Sequence, residues 1–189
     1  MAKRGVIESI NMKSTSGAAR IYDAVFDEDL DNGTIGHLDG LDVDGSTIYK
    51  FKKGYSSAHG KTLVIVDDPA WSYDDGKRTN QRRDKFYIPA GKIFRVRTLE
   101  IGDEFGINDA LIGMGALGGA ELTTGFTLQV PTNDGKYHIV LTEAGLVSGV
   151  PTFQILRKRI VGNTLVTSER RYGHSNTIYE LKLVAKEYQ

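Results

Sequence analysis

Few stretches of this sequence carry residue types that could do bond chemistry, and each fails on its spacing. Gly54-Tyr55-Ser56-Ser57-Ala58-His59-Gly60-Lys61-Thr62 resembles a phosphate loop, but five residues separate its glycines where the phosphate loop has four. The β-branched run Leu63–Asp68 (LVIVDD) follows it, in place of the helix whose N-terminus would hold the phosphate. That run also imitates the apolar strand ending in Asp at magnesium sites, but it lies too close to Gly60 to be a separate strand of one nucleotide site. Gly113-Met114-Gly115-Ala116-Leu117-Gly118 fits G-x-G-x-x-G. A dinucleotide site needs a strand before that motif and a helix after it. Only Leu111-Ile112 precede it here, Ala120–Thr124 is too short for the helix, and the acid near the expected distance, Asp134, sits in an Asp-Gly turn.

Metal and acid–base chemistry are no better served. Asp27-x-Asp29-x-Asp31-Asn32-Gly33 resembles a calcium loop, yet Asn32 stands at the sixth position and Leu38 at the twelfth, where Gly and Glu are required. A solvated acidic turn is expected, with ion binding left open. His37, His59, His138 and His174 show no metal-ligand spacing, so surface or hydrogen-bonding roles are expected. Ser56, Ser57 and Ser175 lie in no G-x-S-x-G elbow, and nothing selects a pair of carboxylates for glycoside chemistry. No cysteine is present, which excludes disulfides and thiol chemistry and fits assembly in a reducing cytoplasm. Neither a cofactor nor a catalytic residue is expected.

Charge points to surfaces. The 189 residues hold 24 Lys and Arg against 24 Asp and Glu, so no global field draws the chain to nucleic acid or membrane. Basic residues cluster locally at Arg78–Lys85, Arg157–Arg159 and Arg170-Arg171. The first cluster lies in a polar loop, where Arg82 and Arg83 are placed to meet a partner's carboxylates. No aromatic stacking platform is interleaved with these charges, which argues against nucleic acid. The longest apolar runs fall far short of the ~20 residues a membrane helix needs, and Val6-Ile7 before Glu8 is no signal-peptide core.

The elements that carry these residues read as strands. Phe86–Ile107 (FYIPAGKIFRVRTLEIGDEFGI) alternates strand and turn, with Pro89-Ala90-Gly91 and Gly102-Asp103 as turn chemistry. Phe94 and Val96 alternate with Arg95 and Arg97, the pattern of a strand with one buried face. Leu99 and Ile101 fall on the opposite parity, which predicts a bulge, a bend or a change of covered face near Thr98. Further strands are expected at Tyr22–Phe26, Thr47–Phe51, Thr62–Val66, Phe126–Val130, Tyr137–Thr142, Thr152–Val161, Thr164–Ser168 and Thr177–Lys186. Gly162-Asn163 and Asp134-Gly135 suit tight turns, and a short helical turn fits within Asp74–Gln81. In the last strand Tyr179, Leu181, Leu183 and Ala185 share one face, and Glu180, Lys182 and Lys186 share the other.

The expected class is all-β: a small barrel-like or sandwich-like β domain, an extended N-terminal arm and a second C-terminal β module. The arm covers residues 1–20, the first β domain 21–112, a Gly-rich linker 113–125 and the C-terminal module 126–189. Asp39-Gly40 and Asp44-Gly45 read as loop pairs.

The order ARIYDAVFDEDLDNGTIGHLDGL, a strand pair, LVIVDDPAWSYDD, then FYIPAGKIFRVRTLEIGDEFGI resembles the capsid decoration (head stabilisation) proteins of tailed phages. The resemblance covers residues 20–112 and rests on turn-and-strand patterns. It implies a non-enzymatic virion protein, assembled in the host cytoplasm, that binds the major capsid protein on the head exterior as trimers or monomers and carries no catalytic residue. Exposed charge selects the contact candidates: Lys3, Arg4 and Lys13 on the arm, and Arg78, Arg82 and Arg83 on the loop. The alternatives are a tail or baseplate β protein, and a carbohydrate-binding module using Trp71, Tyr73 and Tyr55 as a sugar platform, although a lone Trp more often anchors its loop to the core.

Overall fold

The computed structural model describes residues 4–13, 20–43, 46–54, 61–69, 86–113, 125, 127–130, 139–141, 150–161 and 176–185. Over these residues the chain is all-β, with a 3-10 turn at Asp109–Leu111. The strands in chain order are β1 (Ile7–Asn11), β2 (Ile21–Val25), β3 (Ile35–Leu41), β4 (Tyr49–Lys53), β5 (Leu63–Val66) and β6 (Phe94–Thr98). They continue with β7 (Glu104–Asn108), β8 (Ile112–Gly113), β9 (Thr127–Gln129), β10 (Ile139–Leu141), β11 (Thr152–Val161) and β12 (Asn176–Ala185).

Strands β2 to β6 close into a five-stranded barrel in the order β2-β4-β3-β5-β6. Its pairs are antiparallel except β2 with β4, which run parallel. Closure leaves the barrel no open sheet edge. Inside it pack Ala24, Leu38, Phe51, Val64, Val66, Phe94 and Val96, with Leu30, Phe86 and Ile88 at one end. Phe51 meets Phe94 and Phe26 edge to face, at centroid distances of 5.6 Å and 5.8 Å, a favourable geometry for aromatic quadrupoles.

The other seven strands form one sheet in the order β1-β7-β12-β11-β9-β10-β8. It is antiparallel apart from β10 with β8. The sheet draws strands from both sides of the Gly-rich 113–125 segment, so its hydrogen bonds join the regions expected to be separate modules.

Strand β5 explains how barrel and sheet meet. Its four residues LVIV are all buried, because alternate side chains serve different cores. Val64 and Val66 point into the barrel. Leu63 and Ile65 join Ile35 and Leu99 in a second cluster with Phe105, Ile107, Phe153, Ile155, Tyr179, Leu181 and Leu183 of the sheet. A strand covered on both faces reads as a continuous apolar run rather than an alternating one.

Four features correct or refine the sequence reading. The N-terminal segment is extended as expected, but residues 7–11 are an edge strand of the chain's own sheet, paired with β7. Val6, Ile7 and Met12 are buried there, and that burial outweighs the polar composition around them. Second, Asp39-Gly40 lies within β3 rather than in a loop. The glycines at 36 and 40 dilute the strand signal, and Gly36 is there for space. A Cβ at Gly36 would lie 2.1 Å from the Lys52 carbonyl oxygen and 2.5 Å from the Phe51 ring. Third, of the alternatives expected near Thr98 the structure takes the change of covered face rather than a bulge: β6 ends there and Leu99 joins the shared core, whereas Phe94 and Val96 pack inside the barrel. Gly102 (φ +94°) turns the chain, leaving Leu99 fully buried and Ile101 exposed. Buried Asp103 fixes this turn, accepting from the Glu100 N–H at 2.8 Å and the Lys13 N–H at 2.9 Å. Fourth, Glu180, on the expected polar face of β12, is buried. The turns and strand expected at Asp74–Gln81, Asp134-Gly135, Gly162-Asn163 and Thr164–Ser168 lie outside the described residues.

Gly36→Ala is expected to lower the urea unfolding midpoint by an amount equivalent to about 1–3 kcal/mol, because the backbone oxygen it meets cannot rotate away. Chemical denaturation followed by circular dichroism measures it, and an unchanged midpoint contradicts the packing described.

Candidate functional site

A cleft of about 260 Å³ opens between β1 of the sheet and the end of the barrel. Gly5, Val6, Ile7 and Ser9 form one wall, Asn32 lies at its base, and Asp67, Asp68, Arg95 and Arg97 form the other wall. The alternation of β6 produces the basic wall. Phe94, Val96 and Thr98 go inward, so Arg95 and Arg97 must point out. The acidic pair follows directly where β5 ends.

Two buried asparagines hold the walls apart. The Asn32 side chain binds the Asp68 backbone reciprocally, donating to its carbonyl at 2.8 Å and accepting from its N–H at 3.0 Å. Asn108 does the same work for the opposite wall. Its Oδ1 accepts from the Val6 N–H at 3.1 Å, its Nδ2 donates to the Arg4 carbonyl at 2.8 Å, and its own N–H donates to the Val6 carbonyl at 3.2 Å. The Asp31 carboxylate adds a further tie, accepting from the Gly5 N–H at 3.1 Å and pairing with Arg4 at 3.3 Å.

The ionisable groups of the cleft are nearly all paired. Arg97 pairs with Asp67, and Lys92 reaches Asp68 at 3.5 Å. Arg95 donates its Nε–H to the Asp67 carbonyl oxygen at 3.0 Å and has no carboxylate partner among the described residues. With Lys92 beside the wall, three cations share two carboxylates, and Arg95 is the cation left without one.

Two other charged clusters lie outside the cleft. On the sheet face away from the core, Arg157 forms a two-bond fork with Glu180 at 2.9 Å and 2.7 Å. Arg159 donates to Glu180 at 2.8 Å and also reaches Glu8. The strand between them contributes Gly106, paired with both Glu8 and Glu180. A side chain at 106 would meet Ile178 at 2.8 Å and approach Glu8, so its absence leaves Arg159 a path across β7. The Arg157 and Arg159 hydrogen bonds hold the Glu180 carboxyl below its ordinary range, against the opposing effect of burial. On the barrel, Lys52 and Lys61 clamp Asp39 and hold it well below the usual carboxylate range. Beside them His37 is buried, sharing a hydrogen bond between Nδ1 and the Gly54 carbonyl oxygen at 3.1 Å. Burial lowers its pKa, and its Nε2 has no partner among the described residues.

The sequence candidates fall in several places. Arg4 is half-buried, stacked 4.6 Å over the Tyr87 ring as well as paired with Asp31. Lys13 is exposed, and its Nζ donates to the Ile101 carbonyl oxygen at 3.0 Å. Lys3, Arg78, Arg82 and Arg83 lie outside the described residues, as do Trp71, Tyr73, Tyr55, His59, His138 and His174. The acidic turn is built into the fold: Asp31 holds the N-terminal segment, Asp29 accepts from the Ala90 N–H at 3.2 Å, and Glu28 pairs with Lys53 at 3.0 Å. No three metal-ligating side chains converge among the described residues. Of the phosphate-loop resemblance, the described Lys61 is paired with Asp39. Asn108, which positions one wall of the cleft, escaped the sequence reading, and Asn32 was weighed there only as a calcium-loop position, because a lone buried amide leaves no spacing signal.

Comparison with protein-family models finds no matching family, and comparisons with curated proteins and with solved structures find no match.

Because Glu180 is held ionised in the fold, its contribution to stability is full above the unfolded-state value of about 4.3 and is lost as pH falls through its lowered folded value. Glu180→Gln is expected to destabilise the protein at pH 7 and to flatten the acid limb of stability against pH. Urea midpoints between pH 3 and pH 7 measure this, and an acid limb of unchanged slope contradicts it.

Proposed function

We propose that this chain is a non-enzymatic virion structural protein of a tailed phage, one that binds the major capsid protein on the exterior of the assembled head and stabilises the shell. The observation that carries the reading is the disposition of charge on an all-β body. Outside the cleft, many of the described charged side chains are paired with one another or with backbone across strands and turns, as at Glu180 with Arg157 and Arg159 or Asp39 with Lys52 and Lys61. Such a surface suits a rigid, self-satisfied body that works by contact. The order of turns and strands over residues 20–112 supports the same reading through its resemblance to decoration proteins. Many identical sites on a capsid let modest contacts, repeated in many copies, brace the whole shell.

Arg4 and Lys13 are the described contact candidates, joined by Lys3, Arg78, Arg82 and Arg83 from the sequence. Arg4 anchors its own chain through Asp31 and Lys13 is bonded to the Ile101 carbonyl oxygen, so the folding of each variant is checked by circular dichroism before its binding is read. The test is co-sedimentation of the purified protein with mature heads lacking it, with unexpanded heads and with tail tubes. Saturable binding to mature heads alone is expected, weakened by Lys13→Glu. Binding to tails, assembly of the pure protein into rings, or no binding to heads overturns the reading. Intact binding by the Lys13 variant removes that residue from the interface.

A further inference from the structure

We infer that the free edge of β1 is a docking site for an extended, carboxylate-bearing segment of another protein, which adds as a strand to the sheet and sets its acid against Arg95. The inference concerns the cleft alone and goes beyond the capsid reading. Strand β1 ends the sheet, with β7 on one side and nothing paired on the other among the described residues. Its hydrogen-bond phase follows from the pairing with β7. Val6 accepts from the Asn108 N–H at 3.2 Å, and opposite residues of an antiparallel pair alternate between bonded and non-bonded positions. Glu8, opposite Gly106, is therefore the next bonded residue, whereas Ile7 and Ser9, opposite Ile107 and Phe105, are not. The backbone N–H and C=O groups of Ile7 and Ser9 thus aim away from β7. These same two residues line the cleft. The edge donors and acceptors open into a preformed groove, not onto a flat surface.

The chemistry of the occupant follows from the facing wall. A strand added to β1 would lie about 4.8 Å from it and present its side chains toward β6. There Arg97 and Lys92 are already paired with Asp67 and Asp68. Arg95 is fixed by one bond to a backbone oxygen, which leaves both Nη groups of its guanidinium for a carboxylate. One acid on the incoming segment matches the one unneutralised charge. The register shift between Ser9 and Asn11 ends the regular ladder, limiting the contact to a few residues of the partner. Backbone bonds supply affinity in this mode, and the side-chain pairing supplies selectivity.

The experiment uses the full-length, isotope-labelled chain titrated with a blocked Thr-Val-Glu-Val-Thr peptide and its Glu-to-Gln counterpart. Saturable chemical-shift changes are expected at the Ile7 and Ser9 amides and at the Arg95 Nε–H, with binding of the Gln peptide about threefold to fivefold weaker. Ser9→Pro removes an N–H that faces away from β7, a change an edge strand tolerates, and is expected to abolish binding. Arg95→Gln keeps the backbone edge and is expected to erase the preference for Glu over Gln, giving a second reading if the proline variant does not fold. The inference is overturned by unmoved Ile7 and Ser9 amides at millimolar peptide, by equal affinity of the two peptides, or by concentration-dependent shifts without peptide, which would assign the edge to a second copy of the chain. Head binding is read separately, so either conclusion can fail without the other.

Discussion

One shared apolar core governs this structure. Ile35, Leu63 and Ile65 project outward from a closed barrel and would be a costly exposed patch on a barrel standing alone. The sheet covers them with Phe105, Ile107, Phe153, Ile155, Leu181 and Leu183. Neither layer buries its apolar face without the other. The seam also explains why β5 reads as LVIV: it is the wall common to two interiors. Truncating Ile65 would open the shared core between barrel and sheet, and large-to-small changes at such sites cost about 2–5 kcal/mol.

The cleft is a consequence of that arrangement. Barrel and sheet touch over their apolar faces and separate where β1 passes the end of β5. The gap is polar and is held by polar devices, the reciprocal Asn32–Asp68 pair on the barrel side and Asn108 on the sheet side. Each is buried and bonded at both amide atoms, so removing either would leave backbone groups unpaired at about 1–3 kcal/mol apiece. A groove built this way keeps its shape without a ligand, which lowers the cost of binding one.

The all-β class was legible because most strands announce themselves by alternation. Phe94, Val96 and Thr98 against Arg95 and Arg97 is a local pattern, and the structure keeps it. What escaped depends on contacts distant in sequence. Strand β1 carries only Ile7 and Ile10 as apolar cues, with Val6 and Met12 flanking it, and its partner β7 lies about a hundred residues away. Strand β3 is masked by Gly36, whose role is visible only once the Lys52 carbonyl and the Phe51 ring are placed against it. The joining of the two halves was hidden by the glycines at 113–125, which look like a seam although the sheet draws strands from both sides of them. The site was the least legible part: Asn32, Asp67, Arg95 and Asn108 come from four separate stretches and share no motif.

The central claim is that barrel and sheet form one cooperative unit through their common core. Amide hydrogen exchange of the full chain in increasing urea tests it at two reporters. The Val66 N–H, bonded to the Thr34 carbonyl at 2.9 Å, lies in the barrel, and the Leu183 N–H, bonded to the Asp103 carbonyl at 3.0 Å, lies in the sheet. The account predicts that both exchange only through global unfolding, with the same free energy and the same urea dependence. Exchange of one through a separate opening of lower free energy, with the other still protected, would contradict it.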